Sequence, residues 1–229
     1  MQTAPSPRLN GIIILAAALM VVAAASTPVA AEIDFAASLS IPLGDDGRVF
    51  INVASNYYHA DPDVVVYASK SLHDPVGDLA VALFIAKHAR RSPRAVIDLR
   101  LGGKGWLEIF ASYGLPYSLL FADLPPNPGP PYGKAWGHWK KHKQNPASRI
   151  LLSDAEFADL VHLRVTIRAL GLDAHQAVAQ RSKGKPFHAI AGNAYRAKHG
   201  GKAGGKGSGK QPKGPGKGKP KAKGKPGNR

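Results

Sequence analysis

The chain has 229 residues, a formal net charge of +16 from 31 lysines and arginines against 15 acidic residues, and no cysteine. The absence of cysteine excludes disulfides, thiolate metal sites and cysteine nucleophiles. The excess of cationic side chains favours anionic partners over cationic ones.

The N-terminus has the pattern of a secretory signal. Arg8 and the α-amino group precede an uninterrupted apolar run at residues 12–25, and the small residues at 29–31 predict cleavage before Glu32. Cleavage after residue 25 and a retained anchor are the alternatives, although the run is shorter than the roughly 20 residues of a spanning helix. We therefore expect a periplasmic or extracellular protein that lacks residues 1–31 after processing.

Signals for helix starts recur through residues 32–197, which we expect to form one mainly α domain. An apolar face at helical spacing runs through residues 46–58, and residues 33–43 alternate weakly, as in a short strand. Helix starts with proline at the first helical position follow Asp61, Asp74 and Ser92. A capping box at residues 153–156 and a cap at residue 173 predict two more helices.

One segment of this domain occurs twice, at an offset of 81 residues. The shared residues are Arg100, Gly103, Trp106 and Ile109 in the first copy, and Arg181, Gly184, Phe187 and Ile190 in the second. The pattern predicts a helix, a Gly-Lys turn and a second helix, a unit resembling a helix-turn-helix. Whole copies span about residues 74–114 and 153–195, and residues 61–70 resemble the start of a degenerate third. Two such units packed together would bury apolar faces that one alone would leave exposed.

The two repeated arginines have a structural interpretation. Each lies three residues before the turn glycine, near the predicted end of a helix. An arginine there bonds the last helix carbonyls and complements the negative end of the helix dipole. We therefore expect Arg100 and Arg181 to hold the turns rather than to bind a ligand.

Residues 117–149 separate the copies and are dense in proline and glycine as far as residue 133, which predicts a long loop. Long loops in compact domains are usually functional or mobile. The candidate surface site in this segment consists of Tyr132, Trp136, His138, Trp139, Lys140 and Lys141. Two interpretations stay open: the tryptophans stack on a glycan while lysines attract an anion, or the tryptophans pin the loop to the domain.

Residues 198–229 form a tail with ten lysines, one arginine and no acidic residue, which supplies +11 of the net charge. Because its apolar side chains are few and small, we expect the tail to be disordered and to bind anions by charge density. Its candidate anion-binding residues are Lys202, Lys206, Lys210, Lys213, Lys217, Lys219, Lys221, Lys223 and Lys225.

Three other readings of the motifs compete with anion binding. The repeated unit is similar to a DNA-binding helix-turn-helix, with Lys104, Lys185 and Arg181 suited to phosphates, although the signal sequence opposes nucleic acid as a partner. Residues 102–114 weakly resemble a LysM-type glycan-binding module. His138 and His142 have helical metal-ligand spacing, but the lysines around them oppose a cation.

The sequence predicts neither a cofactor nor a catalytic site. His59 with Asp61 and His73 with Asp74 are neighbouring acid and base groups, but both aspartates are explained as helix caps. We therefore expect a protein that is not an enzyme. An enzyme acting on envelope glycans through the proline-rich segment is the alternative.

Several features together resemble a group of uncharacterised exported bacterial proteins. They are the L-R-x-x-G-x-x-W-x-x-I pattern at residues 99–109, Gly114, the G-P-P-Y-G-x-A-x-G pattern at 129–137, the Leu-Ser-Asp at 152–154 and the basic Gly-rich tail. The resemblance covers about residues 50–197. It implies an envelope location and one domain, and it implies no mechanism.

These observations favour an exported, non-enzymatic binding or structural protein of the cell envelope. Its tail would associate with anionic polymers or lipids, including peripheral contact with a membrane. A nucleic-acid-binding protein that is not exported, and a LysM-like glycan-binding module, are the alternatives.

Overall fold

The computed structural model describes residues 44–199, and the regular structure of these residues is entirely helical, which confirms the mainly α fold class. The helices are α1 (Asp45–Tyr58), α2 (Pro62–Ser71), α3 (Pro75–Ala89), α4 (Pro93–Leu101), α5 (Trp106–Ser112), α6 (Ser118–Phe121), α7 (Gly133–Gln144), α8 (Asp154–Leu170), α9 (Ala174–Ser182) and α10 (Phe187–His199). The predicted signal at 1–31, the weak strand at 33–43 and the tail beyond residue 199 lie outside the described residues.

Local capping chemistry sets most helix starts, as the sequence predicts. The side chains of Asp61, Asp74 and Asp173 each accept a hydrogen bond from a backbone N–H two or three residues later. Ser153 and Glu156 form a complete capping box at the start of α8. Ser92 differs, because its side chain makes no capping bond, so Pro93 is left to favour the first turn of α4 through its fixed φ angle.

Helix α3 lies at the centre of the domain. All of its residues from 79 to 86 are buried, and it packs against α1, α2, α4 and α8. A helix that is apolar on every side belongs in a core rather than at a surface. Helix α10 packs against α1 and α8. None of the helices between residues 44 and 199 is long and apolar enough to cross a membrane.

The duplication predicted from sequence is present in three dimensions. Helices α4 and α9 have nine residues each and begin 81 residues apart, and α5 and α10 also begin 81 residues apart. The turn glycines Gly103 and Gly184 both have positive φ, at 88° and 81°. Each donates its N–H to the carbonyl of the arginine three residues earlier, at 2.9 Å in both copies. The apolar pairs at 96 and 177 and at 97 and 178 are buried in both units.

The segment at 117–149 is not one long loop, so that prediction was wrong in part. It contains α6 and α7, and only the proline-dense stretch between them is irregular. Its anchor is on α8, where Arg164 donates to the carbonyl of Leu119 at 3.0 Å. The buried carboxylate of Asp123 lies 3.1 Å from Arg164 and 2.6 Å from Arg168. Helix α10 continues to His199, two residues beyond the domain end that we predict at 197.

The turn glycines give a direct test of the duplicated geometry. Gly103→Ala and Gly184→Ala should each lower the free energy of unfolding by about 1 kcal/mol, the cost of a left-handed residue with a Cβ. No atom lies within 4 Å of the added Cβ at either position, so the cost is that of the backbone alone.

The matched control is Gly137→Ala, inside α7, where a Cβ also meets nothing within 4 Å but φ is ordinary. That change should be neutral or stabilise by up to about 1 kcal/mol. Chemical denaturation of the three variants measures the difference. Equal losses at 103 and 137 would contradict the assignment of the turn.

Candidate functional site

The first copy holds its turn with a cluster of Asp78, Arg100 and Trp106, here called the first arginine cluster. The Arg100 guanidinium donates to the carbonyl of Lys104 at 3.1 Å and lies 3.7 Å from the Asp78 carboxylate. Its Cζ lies 4.8 Å from the centroid of the Trp106 ring. The structural role expected of Arg100 is present, but the carbonyl it bonds lies in the turn between α4 and α5 rather than in the last turn of α4.

The second copy repeats this arrangement in a second arginine cluster of Asp159, Arg181 and Phe187. Arg181 donates from Nε to Asp159 at 2.9 Å, and its second nitrogen, Nη2, lies 2.8 Å from the same carboxylate oxygen. It also contacts the carbonyl of Lys185 at 3.5 Å and lies 5.9 Å from the Phe187 ring centroid. Asp159 follows Asp78 by 81 residues, so the repeat includes an acidic position that the sequence analysis missed.

The two clusters differ because tryptophan carries an N–H that phenylalanine lacks. Trp106 donates its indole N–H to Asp78 at 2.9 Å. Phe187 has no N–H on its ring, and Asp159 instead binds two nitrogens of Arg181, Nε and Nη2. Burial raises the pKa of Asp78, against the lowering effects of Trp106 and Arg100.

A further carboxylate completes the first cluster. Asp154, from the start of α8, accepts from Arg100 at 2.5 Å and from the backbone N–H of Trp106 at 2.7 Å. No described side chain does the same at Phe187, and its backbone N–H has no acceptor among residues 44–199.

Two adjoining hollows open beside the clusters and together form what we call the central cleft. The larger, of about 840 Å³, lies against the second cluster, and the smaller, of about 560 Å³, lies against the first. They share four lining residues, Asp74, Gly77, Asp159 and His162. Because each hollow lies against the arginine cluster of one copy, the cleft lies where the two copies meet. Volumes of this size suit small organic molecules.

His162 is the histidine that both hollows share. It is 9% exposed, and its Nε2 lies 2.7 Å from the carbonyl of Gly77. A carbonyl only accepts hydrogen bonds, so Nε2 carries the proton and Nδ1 is the basic nitrogen. The rings of Phe50 and Phe187 meet it edge-on. Burial lowers the pKa of His162, and the imidazole is neutral at pH 7.

The predicted surface site at 132–141 is only partly at the surface. Tyr132 is buried, which corrects its assignment as a surface residue, and burial raises the pKa of its hydroxyl. Trp136 and Trp139 are half-buried against the core, and Trp139 stacks on Phe121 at 5.2 Å. These contacts favour the interpretation in which the tryptophans pin this segment to the domain.

The polar members of that predicted site lie along α7. Lys140 and Lys141 are exposed and His138 is half-buried. His142, four residues after His138, bonds the carbonyl of Ser148 at 2.8 Å through Nδ1. Between residues 44 and 199, no group of three or more side chains is placed to hold a metal ion. The candidate lysines of the tail, from Lys202 onward, lie outside the described residues.

The described residues contain the helix, turn and helix of each copy, but not the strands of a LysM-type module. Helix α5 buries Trp106, Ile109 and Phe110, and its exposed positions include Glu108, whose carboxylate would face a phosphate backbone. The described residues contain no strand, and a LysM-type module needs strands beside its turn. In the second copy, Phe187 and Ile190 of α10 are likewise buried.

Comparison of the chain with protein-family models, with curated proteins and with solved structures finds no match.

The buried imidazole predicts how stability depends on pH. The folded pKa of His162 is lowered below its ordinary 6.5, so below pH 6.5 the unfolded chain takes up a proton that the folded chain resists. Stability is therefore complete above pH 6.5 and falls on acidification, by at most about 1.4 kcal/mol per pH unit for this group. His88, whose pKa is also lowered by burial, acts in the same direction.

His162→Gln should flatten this slope between pH 6.5 and pH 5.5, because glutamine can still donate to the Gly77 carbonyl but does not titrate. Urea unfolding at each pH measures the slope. The control is His175→Gln on the exposed side of α9, which should keep the wild-type slope. An unchanged slope in His162→Gln would contradict the lowered pKa, because it would mean that this imidazole takes up a proton as readily in the folded chain as in the unfolded chain.

Proposed function

We propose that this protein is an exported, non-enzymatic binding or structural protein of the cell envelope, held on anionic polymers or lipids by lysine-rich surfaces. The observation that carries the proposal is the different use of acidic and basic side chains in the domain. The carboxylates stabilise the fold, while most lysines have no carboxylate partner.

The acidic side chains of the described residues are largely engaged. Asp61, Asp74, Asp173 and Glu156 cap helices. Ion pairs with arginine occupy Asp45, Asp46, Asp78, Asp123, Asp154 and Asp159. A carboxylate in such a role contributes little free negative charge to the surface. Because each ion pair also neutralises its arginine, the exposed lysines are the charges that remain to attract anions.

The lysines behave differently. Among residues 44–199, Lys104 alone of the lysines forms an ion pair, with Glu108 at 3.9 Å. Helix α7 has no acidic residue and exposes Lys134, Lys140, Lys141 and Lys143. Nine further lysines follow between residues 200 and 229. Because each basic residue near an anionic membrane contributes about 1 kcal/mol, these groups are sufficient for tethering at low salt.

Co-sedimentation with anionic phospholipid vesicles and with lipopolysaccharide tests the proposal. Binding of the full chain should weaken steeply with salt, because it depends on screened charge. Removal of residues 200–229 should abolish most of it, and glutamine at all four α7 lysines should have a smaller effect. Neutral phosphatidylcholine vesicles are the control. Binding that is insensitive to salt would contradict the proposal.

Fractionation of the native host with intact-mass analysis tests the compartment. A mature chain that begins at Glu32, lies in the envelope fraction and is released by high salt is the expected result. An uncleaved chain in the cytoplasm that binds DNA as strongly as vesicles would instead favour nucleic acid as the partner.

A further inference from the structure

We propose that the central cleft binds the ammonium group of a small organic amine, beside Asp74, Asp159 and His162, which line both of its hollows. The site does not depend on the envelope function proposed above. It is inferred from three acceptor atoms that lack a hydrogen bond, and from the charge of the side chains around them.

The buried imidazole of His162 is the first of these acceptors. The residue is 9% exposed, and the two hollows are the open space beside it. Its Nε2 bonds the carbonyl of Gly77. Nδ1, the basic nitrogen, has no partner among residues 44–199 and is not fully enclosed, so it presents its lone pair to the cleft. A buried acceptor without a partner costs free energy, which a ligand that donates a hydrogen bond recovers.

The packing of the repeat does not require a histidine at this position. The corresponding residue of the first copy, 81 positions earlier, is Val81, which is fully buried. An apolar side chain therefore satisfies the same place in the core, and His162 adds a polar atom at a cost in desolvation. A ligand that donates to Nδ1 gives that atom a function.

Two carboxylates beside His162 supply the other acceptors. Asp74 accepts from the Gly77 N–H through Oδ1, and its Oδ2 has no partner within residues 44–199. Both contacts of Arg181 with Asp159 are to Oδ2, which leaves Oδ1 without a hydrogen bond in the described part of the chain. Burial lowers the pKa of His162, and both carboxylates are near enough to act against that shift. Three acceptors suit a primary ammonium group, which has three N–H donors.

The cleft is acidic, although the chain as a whole has a formal net charge of +16. Its hollows are lined by six aspartates and three arginines: Asp45, Asp46, Asp74, Asp78, Asp154, Asp159, Arg100, Arg181 and Arg196. Arg48, which lies outside the lining, pairs with Asp45. Six carboxylates against four arginines leave two negative charges in excess, which favours a cation and opposes an anion.

An organic ammonium group fits these acceptors better than a metal ion does. Bonds from a metal ion to oxygen are about 2.0–2.6 Å long, and no group of three or more side chains between residues 44 and 199 is placed to make them. Hydrogen bonds from an ammonium group are longer, at about 2.7–2.9 Å, and suit acceptors that lie farther apart. Phe50, Val76 and Phe187 give the larger hollow an apolar wall, which suits a short hydrocarbon chain on the amine.

Titration of the ¹⁵N-labelled full chain with n-butylammonium chloride near neutral pH tests the site. The Nδ1 resonance of His162 should move as this atom accepts a hydrogen bond, and the Gly77 amide, which bonds Asp74, should move with it. Both changes should saturate at the same concentration. Neutral n-butanol, which has the same shape, should bind at least tenfold more weakly. Tetramethylammonium chloride, a cation without an N–H donor, should not reproduce the shift.

A matched pair of variants tests the part that Asp74 has in the site. Asp74→Asn removes one charge from the cleft, and asparagine can still cap α3. Because Asp74 is exposed, the half-saturating concentration of n-butylammonium should rise about three- to fivefold, as for a solvated ion pair. The control is Asp61→Asn, at a cap of α2 that lines neither hollow, which should leave that concentration unchanged.

The decisive measurement is the His162 resonance of the unaltered chain, so a variant that fails to fold leaves the test intact. A shift that never saturates, or that tetramethylammonium or sodium chloride reproduces, would overturn the ammonium site. Neither result bears on binding to vesicles, which depends on the lysines of α7 and of the tail sequence.

Discussion

The contacts of Arg100 tie together more of this domain than those of any other side chain we describe. One guanidinium joins the turn after α4, the carboxylate of Asp78 on α3 and the carboxylate of Asp154 at the start of α8. Because α3 is the central helix and α8 opens the second copy, this one group fixes both the fold within the first copy and the junction between copies. Arg181 repeats the role within the second copy through Asp159. The central cleft lies between the two clusters, so its shape depends on them.

The same constraint links the fold to the surface charge. Arginines, whose planar guanidinium groups suit bidentate and stacked contacts, take the carboxylates and the aromatic faces inside the domain. Lysines, which are compact and strongly hydrated, are exposed on α7 and recur in the tail sequence, although Lys143 also lies 5.6 Å from the ring centroids of Trp136 and Trp139. Because arginines form the structural ion pairs and lysines remain exposed, one basic chain has both a stable fold and a surface that attracts anions. This difference also explains why substitution of Lys140 and Lys141, which are exposed, should leave the fold intact, whereas substitution of Arg100 should not.

What could be read from the sequence was local. The caps at Asp61, Asp74 and Asp173 bond N–H groups no more than three residues away, and the turn glycines bond within the same turn. The contacts that build the site are remote: 54 residues separate Arg100 from Asp154, and 85 separate His162 from Gly77. Asp78 and Asp159 could have been predicted as repeated residues, because they too are 81 residues apart and align when the repeat is extended toward the N-terminus. Helix α7 was not predicted, because the prolines as far as residue 131 indicated a loop. The helix is held by packing that the sequence does not show, such as the stack of Trp139 on Phe121.

The claim that the Arg100 cluster is the central constraint is most directly tested by a double-mutant cycle of Arg100→Ala and Asp154→Ala, measured as free energies of unfolding. Arg91→Ala, at an exposed arginine just before α4, controls for the loss of a positive charge. The account predicts that each single change in the cluster destabilises the domain and that the coupling energy is about 1–3 kcal/mol, as for groups in one hydrogen-bonded network. Additive losses, or a loss from Arg100→Ala no greater than that from Arg91→Ala, would contradict it.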